Sequence, residues 1–312
     1  MESGIAAKKI GLIVNSMKRI FTAALFAVAL TSAISCGRFS NPATDSRDAR
    51  YVVISPIYNE IIWALGAQDK VVGVDLSSTY PAEVKNVTTV GYHRALSAEG
   101  ILSLHPTQIL SSDDNIGPPQ VVEQIKQLNI PVTAFSAKND SVDGTKALIR
   151  EIAVLFHKEG KAEELCKTLD AQIAAATEMV KQYNDKPRIA VIHFGRASNI
   201  YMVVGKSAGE GGGTGKMIEW AGGEMAVNSE KMQRMASPEI IAQANPDIIL
   251  VTDFGFDRTG GSTDEIKGLP GVATSNAAKN NRIYRVEENQ LMYFGPRTGE
   301  NIEKIAAIIH QK

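Results

Sequence analysis

Short apolar runs rich in β-branched residues recur along the chain from residue 51, and most are separated by stretches with apolar residues every three or four positions. The runs predict buried strands, and the longer stretches predict helices. The predicted strands are Tyr51–Ser55, Val71–Val74, Gln108–Ser111, Val132–Phe135, Arg188–Phe194, Ile200–Val204, Ile248–Thr252 and Arg282–Val286. Such alternation favours parallel, doubly wound sheets with helices on both faces, so the predicted fold class is α/β.

An internal repeat divides this pattern into two similar lobes. Six residues of the segment 97–110 recur in 237–250 at one constant offset of 140, including Ser-x-Glu at the start and a proline before an apolar pair. Each copy predicts an N-capped helix, a turn and a buried strand. A second echo pairs 62–66 with 218–222, each a helix end followed by glycine. We therefore expect two Rossmann-like α/β lobes.

One long amphipathic segment lies between the repeats. Residues 161–186 contain neither Gly nor Pro, their apolar positions follow a helical period, and Gly160 and Pro187 bracket them. A single uninterrupted helix is expected to join the lobes. The predicted boundaries are 51–157 for the N-terminal lobe, 158–186 for the linker helix and 187–312 for the C-terminal lobe.

The first fifty residues have the pattern of an export signal and a tether. A charged start at Met17-Lys-Arg precedes an apolar run that is short for a membrane-spanning helix, and small residues then lead to Ser35-Cys36. We expect a signal peptide over 1–35, with 1–16 as an extension upstream of the natural start. Cys36 is then the acylated first residue of a lipoprotein, and the polar segment 36–50 is a flexible tether. The alternative is a soluble secreted protein with an incidental cysteine.

Composition narrows the range of functions. The 312 residues are 44% hydrophobic, enough for two cored lobes, and the net charge of −1 becomes −4 once residues 1–35 are removed. No basic block remains, so nucleic acid is not an expected partner. Cys166 lies at helical spacing among apolar residues and is expected to be a buried thiol. No common catalytic motif is present, which argues against an enzyme on a similar scaffold.

The decapeptide Gly-Tyr-His-Arg-Ala-Leu-Ser-Ala-Glu-Gly at 91–100 carries the candidate chemistry. In an extended segment Tyr92 and Arg94 point the same way, and a cation beside a phenol favours phenolate, a ligand for ferric iron. His93 would then point away, with an exposed side chain. The alternative is a loop tyrosine and a solvated arginine.

This decapeptide resembles the haem-binding periplasmic proteins of bacterial ABC haem importers. The similarity covers roughly residues 51–312 and continues through Ala64–Asp75, Ser78–Glu83, Gly117–Pro119, Gly222–Gly223, Ser237–Glu239, Gly268–Gly271 and Gly295–Arg297. It implies two lobes on one rigid helix with haem in the cleft, Tyr92 as the axial iron ligand and Arg94 hydrogen-bonded to it. Outside the decapeptide, the pattern fits cobalamin and other metal-chelate binding proteins too, so cobalamin or a ferric siderophore remains the alternative ligand.

Three further residues are candidate haem contacts. Tyr80 precedes a proline and is otherwise a turn residue. His193 ends a predicted strand, where α/β lobes open onto their binding crevice, although such a histidine is often structural. Met202 could line a porphyrin pocket or fill the core. The Gly-rich segment 209–216 fails the spacing of a phosphate-binding loop and predicts a turn, capped by Thr214, into a helix over 215–221.

Two glutamates occupy equivalent positions in the repeat. Glu99 and Glu239 are each expected in the first turn of a helix, where a carboxylate is stabilised by backbone N–H groups. In the resembling family, one acidic residue on each lobe pairs with the membrane permease, which works with an ATPase. The sequence thus predicts an exported, lipid-anchored, haem-binding protein of an ABC importer that performs no chemistry on its cargo.

Overall fold

The structure of the protein is a computed structural model. It describes residues 49–111, 116–194, 201–207, 212–229, 233–234, 239–258 and 260–311. The predicted signal segment, Cys36 and the tether before residue 49 lie outside these residues. From Arg50 onward the chain forms one unit.

All eight predicted strands are confirmed, within a residue or two at their ends. The strands are β1 (Tyr51–Ile54), β2 (Val71–Val74), β3 (Gly91–Tyr92), β4 (Ala95–Leu96), β5 (Gln108–Ser111), β6 (Val132–Thr133), β7 (Arg188–Phe194), β8 (Tyr201–Val203), β9 (Glu224–Met225), β10 (Gln233–Arg234), β11 (Ile248–Thr252) and β12 (Ile283–Val286). The described residues thus contain four strands beyond the predicted ones, β3, β4, β9 and β10, of two residues each.

The helices fall between the strands, as the alternation predicts. They are α1 (Pro56–Ala64), α2 (Ala98–Leu102), α3 (Pro119–Gln127), α4 (Val142–Phe156), α5 (Glu159–Val180), α6 (Gly213–Trp220), α7 (Glu239–Ala244), α8 (Asp253–Arg258), α9 (Thr263–Lys267), α10 (Asn276–Lys279), α11 (Glu288–Met292) and α12 (Thr298–Ile309), with 3₁₀ turns at Gln68–Lys70 and Ala82–Asn86.

Each lobe is built on its own sheet. In the N-terminal lobe the order is β2-β1-β5-β6, and every pair is parallel. In the C-terminal lobe the order is β10-β8-β7-β11-β12, with β9 beside β7. There β7, β11 and β12 are parallel, but β8 runs antiparallel to β7 and β10 antiparallel to β8. The parallel arrangement predicted for the second sheet therefore holds for β7, β11 and β12 but not for β8.

Alternate residues of the central strands pack on opposite faces of the C-terminal sheet. Ile189 and Val191 of β7 pack with α6 and α12, whereas Ala190 and Ile192 pack on the other face with residues of α9 and α10. Covering both faces buries each strand completely, which explains why these strands are nearly continuous apolar runs. The fold is two α/β lobes joined by one long helix, as the sequence predicts.

The joining helix α5 is shorter than predicted. It begins at Glu159, so Gly160 lies inside its first turn rather than before it, and its 22 residues span about 33 Å. The helix ends at Val180, and the residues after it contact His310 near the C-terminus of the chain. The Tyr183 ring stacks on the His310 ring with centroids 3.9 Å apart, and Asp185 accepts a 2.7 Å hydrogen bond from His310. Cys166 is buried, as predicted.

The sequence predicts some helix ends correctly and misses another. Ser97 caps α2 by accepting a hydrogen bond from the Gly100 N–H, whereas Ser237 lies outside the described residues. Gly66 and Gly222 both follow a helix end with positive φ, so the second echo is confirmed. The predicted cap Thr214 is wrong: α6 begins at Gly213 after Gly212, and Thr214 is buried inside its first turn.

Candidate functional site

The carboxyl ends of the parallel strands carry polar residues that face the junction between the lobes. After β2 the chain continues through Asp75 to Tyr80, and after β12 it runs through α11 to Arg297. These two segments touch, because the Asn289 Nδ2 donates a 3.2 Å hydrogen bond to the Thr79 Oγ1. The edges at which α/β sheets bind ligands thus meet in this molecule.

Tyr92 lies on a tight hairpin at this edge of the N-terminal lobe. Strands β3 and β4 pair antiparallel, with Tyr92 opposite Ala95, and His93 and Arg94 form the two-residue turn. The hairpin is tied to its surroundings by the backbone: the Leu76 N–H donates to the Gly91 carbonyl at 2.8 Å, and the Gly117 N–H donates to the His93 carbonyl at 2.9 Å. The Tyr92 side chain is half-buried. Its backbone is constrained by the hairpin and by these two hydrogen bonds.

Gly91 is required at the start of this hairpin. Its φ is +105°, a region that L side chains rarely adopt, and an added Cβ would lie 2.9 Å from the Ala95 carbonyl oxygen. The local backbone conformation therefore explains why the decapeptide begins with glycine.

The assumption of an extended segment was wrong. Arg94 lies in the turn and is exposed, so the alternation that would place it on the same face as Tyr92 does not apply. His93 is also the reverse of what was predicted: it is 7% exposed, and its ring centre lies 4.1 Å from that of Tyr92.

The burial of His93 depends on Asp75, which the sequence analysis missed. The His93 Nδ1 is 3.5 Å from the Asp75 Oδ2, and the Asp75 side chain is fully buried. Asp75 also accepts hydrogen bonds from the Ser77 N–H and hydroxyl and, at 2.7 Å, from the Ser78 hydroxyl. Asn59 of α1 donates to that Ser78 hydroxyl at 2.7 Å. A buried polar network therefore connects the helix behind the sheet to the residue beside Tyr92.

In the C-terminal lobe, the two candidate residues His193 and Met202 are cross-strand neighbours. They are directly opposite each other in the antiparallel pair β7–β8, so their side chains share one face of the sheet. His193 is buried at the end of β7, with its Nδ1 3.0 Å from the Thr252 Oγ1, and Met202 is half-buried. Burial raises the pKa of the adjacent Tyr201 to about 12, and its hydroxyl donates to the Pro270 carbonyl, so this tyrosine stays protonated at neutral pH.

Tyr80 is half-buried and lies against the C-terminal lobe rather than in an isolated turn. The Arg297 guanidinium carbon is 3.2 Å from the centre of the Tyr80 ring. Arg297 also forms a buried two-hydrogen-bond ion pair with Glu60 of α1. Burial alone would lower the pKa of Arg297, but the hydrogen bonds and charge of Glu60 raise it overall. The Gly-Pro-Arg motif at 295–297 gave no indication of this partner.

Glu99 is an exposed residue in the first turn of α2, as predicted. It borders a mainly apolar groove of about 640 Å³ lined by Ala98, Glu99, Leu102, Ser103, Gln124, Gln127 and Leu128. Glu239 is the first residue of α7 and is likewise exposed. Both glutamates therefore occupy helix starts on the surface of their respective lobes, whereas the predicted lipidation site Cys36 is outside the described residues.

A family model for periplasmic binding proteins matches residues 52–289. The chain belongs to the periplasmic binding protein family. Among solved structures, the periplasmic haem-binding protein RhuT from Roseiflexus sp. RS-1, in its apo form, is 32% identical, with a TM-score of 0.74 over 84% of this chain and 98% of that one. The haem-binding protein BhuT, solved with two haems, is 28% identical with a TM-score of 0.71 over 83% of this chain and 97% of that one.

Relatives in the family carry different names. An uncharacterized ABC transporter substrate-binding lipoprotein, YvrC of Bacillus subtilis, is 27% identical over 84% of this chain and 80% of its own length. A cobalamin-binding protein of Halobacterium salinarum is 26% identical over 85% of this chain and 70% of its own length. Family membership makes the chain a substrate-binding protein rather than an enzyme. Among the described residues, no helix combines the length and apolar character needed to cross a bilayer.

Proposed function

We propose that this protein binds haem between its two lobes and delivers it to the permease of an ABC importer. The observation that carries the proposal is the hairpin that holds Tyr92, half-buried, at the strand-end edge of the N-terminal lobe. The Gly-Tyr-x-Arg string of that hairpin resembles haem-binding proteins, and haem-binding structures share the fold over most of the chain.

Tyr92 is proposed as the axial ligand of ferric haem iron. A free tyrosine has a pKa of about 10, so binding at neutral pH requires help in removing its proton. Ferric iron supplies most of that help, and the Arg94 guanidinium, two residues further along the same hairpin, adds positive charge. Tyr80, His193 and Met202 are proposed to contact the macrocycle, because His193 and Met202 are cross-strand neighbours near the end of β7 and Tyr80 lies on the segment that leads from β2 to the lobe junction.

Cobalamin or a ferric siderophore is the second candidate cargo, favoured by the cobalamin-binding relative. A cargo that binds only the native state stabilises the protein by RT ln(1 + L/Kd), where L is the free cargo concentration, so the rise in melting temperature grows with the logarithm of affinity and concentration. Thermal unfolding should therefore be measured with equal concentrations of ferric haem, cobalamin and a ferric siderophore. We expect the largest rise with haem; a larger rise with cobalamin would overturn the haem assignment, and no rise with any of them would overturn the cargo class.

Docking to the permease is proposed to use Glu99 and Glu239. Exposed charges orient a partner more than they stabilise the chain, so reversing both to Lys should abolish permease-dependent uptake and leave cargo affinity nearly unchanged. The matched control reverses Glu159 and Glu265, which are also exposed carboxylates in first helical turns. Normal uptake by the first double variant, or equal loss in both, would contradict this assignment.

The N-terminus is proposed to export the chain and to anchor it through acylated Cys36, at the periplasmic or outer cell surface. Cys36→Ser should convert a membrane-associated protein into a soluble or uncleaved one. Mass spectrometry of the mature N-terminus checks this directly: an acyl group on Cys36 supports the anchor, and an unmodified residue there refutes it.

A further inference from the structure

Arg297 and Glu60 form an ion pair between the two lobes that is almost completely removed from solvent. The Arg297 Nε and Nη2 are 3.1 Å and 2.9 Å from the two carboxylate oxygens of Glu60, and the side chains are 9% and 4% exposed. Glu60 belongs to α1 in the N-terminal lobe, whereas Arg297 immediately precedes α12 in the C-terminal lobe. A two-bond pair of this kind constrains both distance and orientation.

The same guanidinium holds a second element of the N-terminal lobe. Its carbon lies 3.2 Å from the centre of the Tyr80 ring, within the range of a cation–π contact. Arg297 thus uses its edge to bind the carboxylate and its face to cover the phenol, a combination that the planar guanidinium allows and an ammonium does not.

Two further polar contacts lie along the same junction. Asn289 donates to Thr79 at 3.2 Å, and the Asn139 Nδ2 donates to the Phe294 carbonyl at 2.6 Å. Asn139 is itself fixed by the Thr145 hydroxyl, which donates to its side-chain oxygen at 2.8 Å. The segment 289–297 of the C-terminal lobe is therefore joined to the N-terminal lobe at several points.

We propose that Arg297 and Glu60 are positioning residues of the cargo cleft, which fix the spacing of the lobes and the orientation of Tyr80 before cargo binds. A buried ion pair adds little net stability, because the desolvation penalty offsets the attraction; what its directional bonds can supply is a defined geometry. The part of the proposal that concerns cargo rests on the proposed function, whereas the lobe spacing belongs to the cargo-free protein.

The decisive variant is Glu60→Leu with Arg297→Met, which removes both charges at similar volume and therefore leaves no unpaired buried charge. In the cargo-free protein, hydrogen exchange should become at least roughly tenfold faster at amides of residues 79–80 and 289–297, with little change in the cores of either sheet. Cargo dissociation should also accelerate several-fold, since a cleft that must first be ordered binds less tightly.

Three controls separate this role from general stability. Asp257→Leu with Arg285→Met removes an ion pair that also has two hydrogen bonds but is more exposed and lies within the C-terminal lobe, and junction exchange should stay at the wild-type rate. Tyr80→Phe keeps the ring that the guanidinium covers, so its junction exchange should stay at the wild-type rate. Arg297→Lys keeps the charge but loses the planar contact, and should resemble the Glu60/Arg297 double variant.

The outcomes are distinguishable from failure of the proposed function. Unchanged junction exchange in the Glu60/Arg297 double variant, or an increase spread evenly over both lobes, would overturn the proposal. Faster junction exchange with an unchanged cargo dissociation rate would overturn the cargo-positioning part. If wild type binds no haem, the proposed cargo fails, while the exchange result still decides whether the pair fixes the lobes.

Discussion

Gly91→Ala tests the backbone conformation of the Tyr92 hairpin. The φ of +105° at residue 91 lies outside the regions open to alanine, and the new methyl group would approach the Ala95 carbonyl oxygen to 2.9 Å. Backbone strain of this kind costs roughly 1–3 kcal/mol. Because the clashing atom is the backbone of the paired strand, the hairpin cannot relax by a side-chain rotation. We expect a loss of about 3 kcal/mol in unfolding free energy.

The matched control is Gly160→Ala, the same chemical change at a helical glycine in α5 with no atom within 4 Å of the added Cβ. It should stabilise the chain by about 0.4–1 kcal/mol, because alanine has less conformational freedom to lose on folding. In a thermal melt each kcal/mol corresponds to roughly 2–4 °C for a chain approaching this size. Gly91→Ala should therefore melt about 6–12 °C below wild type, and Gly160→Ala slightly above it. Equal melting temperatures for both variants would refute the assignment of strain to the Tyr92 hairpin.

Three smaller predictions concern other parts of the chain. Burial raises the pKa of Cys166, so Ellman's reagent should label the native thiol only at the rate of unfolding; complete labelling within seconds would contradict this. Burial of Asp185 raises its pKa, but the hydrogen bond and charge of His310 together lower the pKa by more. The pKa of Asp185 in the folded protein therefore lies below the usual value. The stabilisation is therefore present above the unfolded pKa of about 3.9 and lost as pH falls through the folded value. The stability advantage of wild type over Asp185→Asn in urea unfolding should shrink from about pH 6 to about pH 3, and an advantage independent of pH would refute it. Asp75→Asn removes the charged acceptor of the buried network and should lower the unfolding free energy by about 1–3 kcal/mol; an unchanged urea midpoint would contradict that role.

The strands and the two-lobed order were predictable because the information is local. Runs such as Ile248–Thr252 are buried on both faces, so they are continuously apolar and mark their own boundaries. The joining helix was also predictable, but its last turn was not, since its end depends on contacts of Tyr183 and Asp185 with His310 at the far end of the chain.

The site was less predictable because its geometry depends on pairs that are distant in sequence. Two-residue strands are too short to leave a pattern, so the sequence predicts an extended segment where the structure has the hairpin at Tyr92. The burial of His93 depends on Asp75 after another strand, and Arg297 pairs with Glu60 across 237 positions. No spacing rule connects such residues; only the docking of the two lobes does.

The absorption spectrum of the ferric haem complex tests the central proposal most directly. Wild type should show the phenolate-to-iron charge-transfer band. Tyr92→Phe keeps the ring and deletes only the oxygen, so it should lose the band and release haem much faster, while Arg94→Ala should keep the band with weaker binding. A ferric spectrum that is unchanged in Tyr92→Phe would contradict the assignment of Tyr92 as the iron ligand.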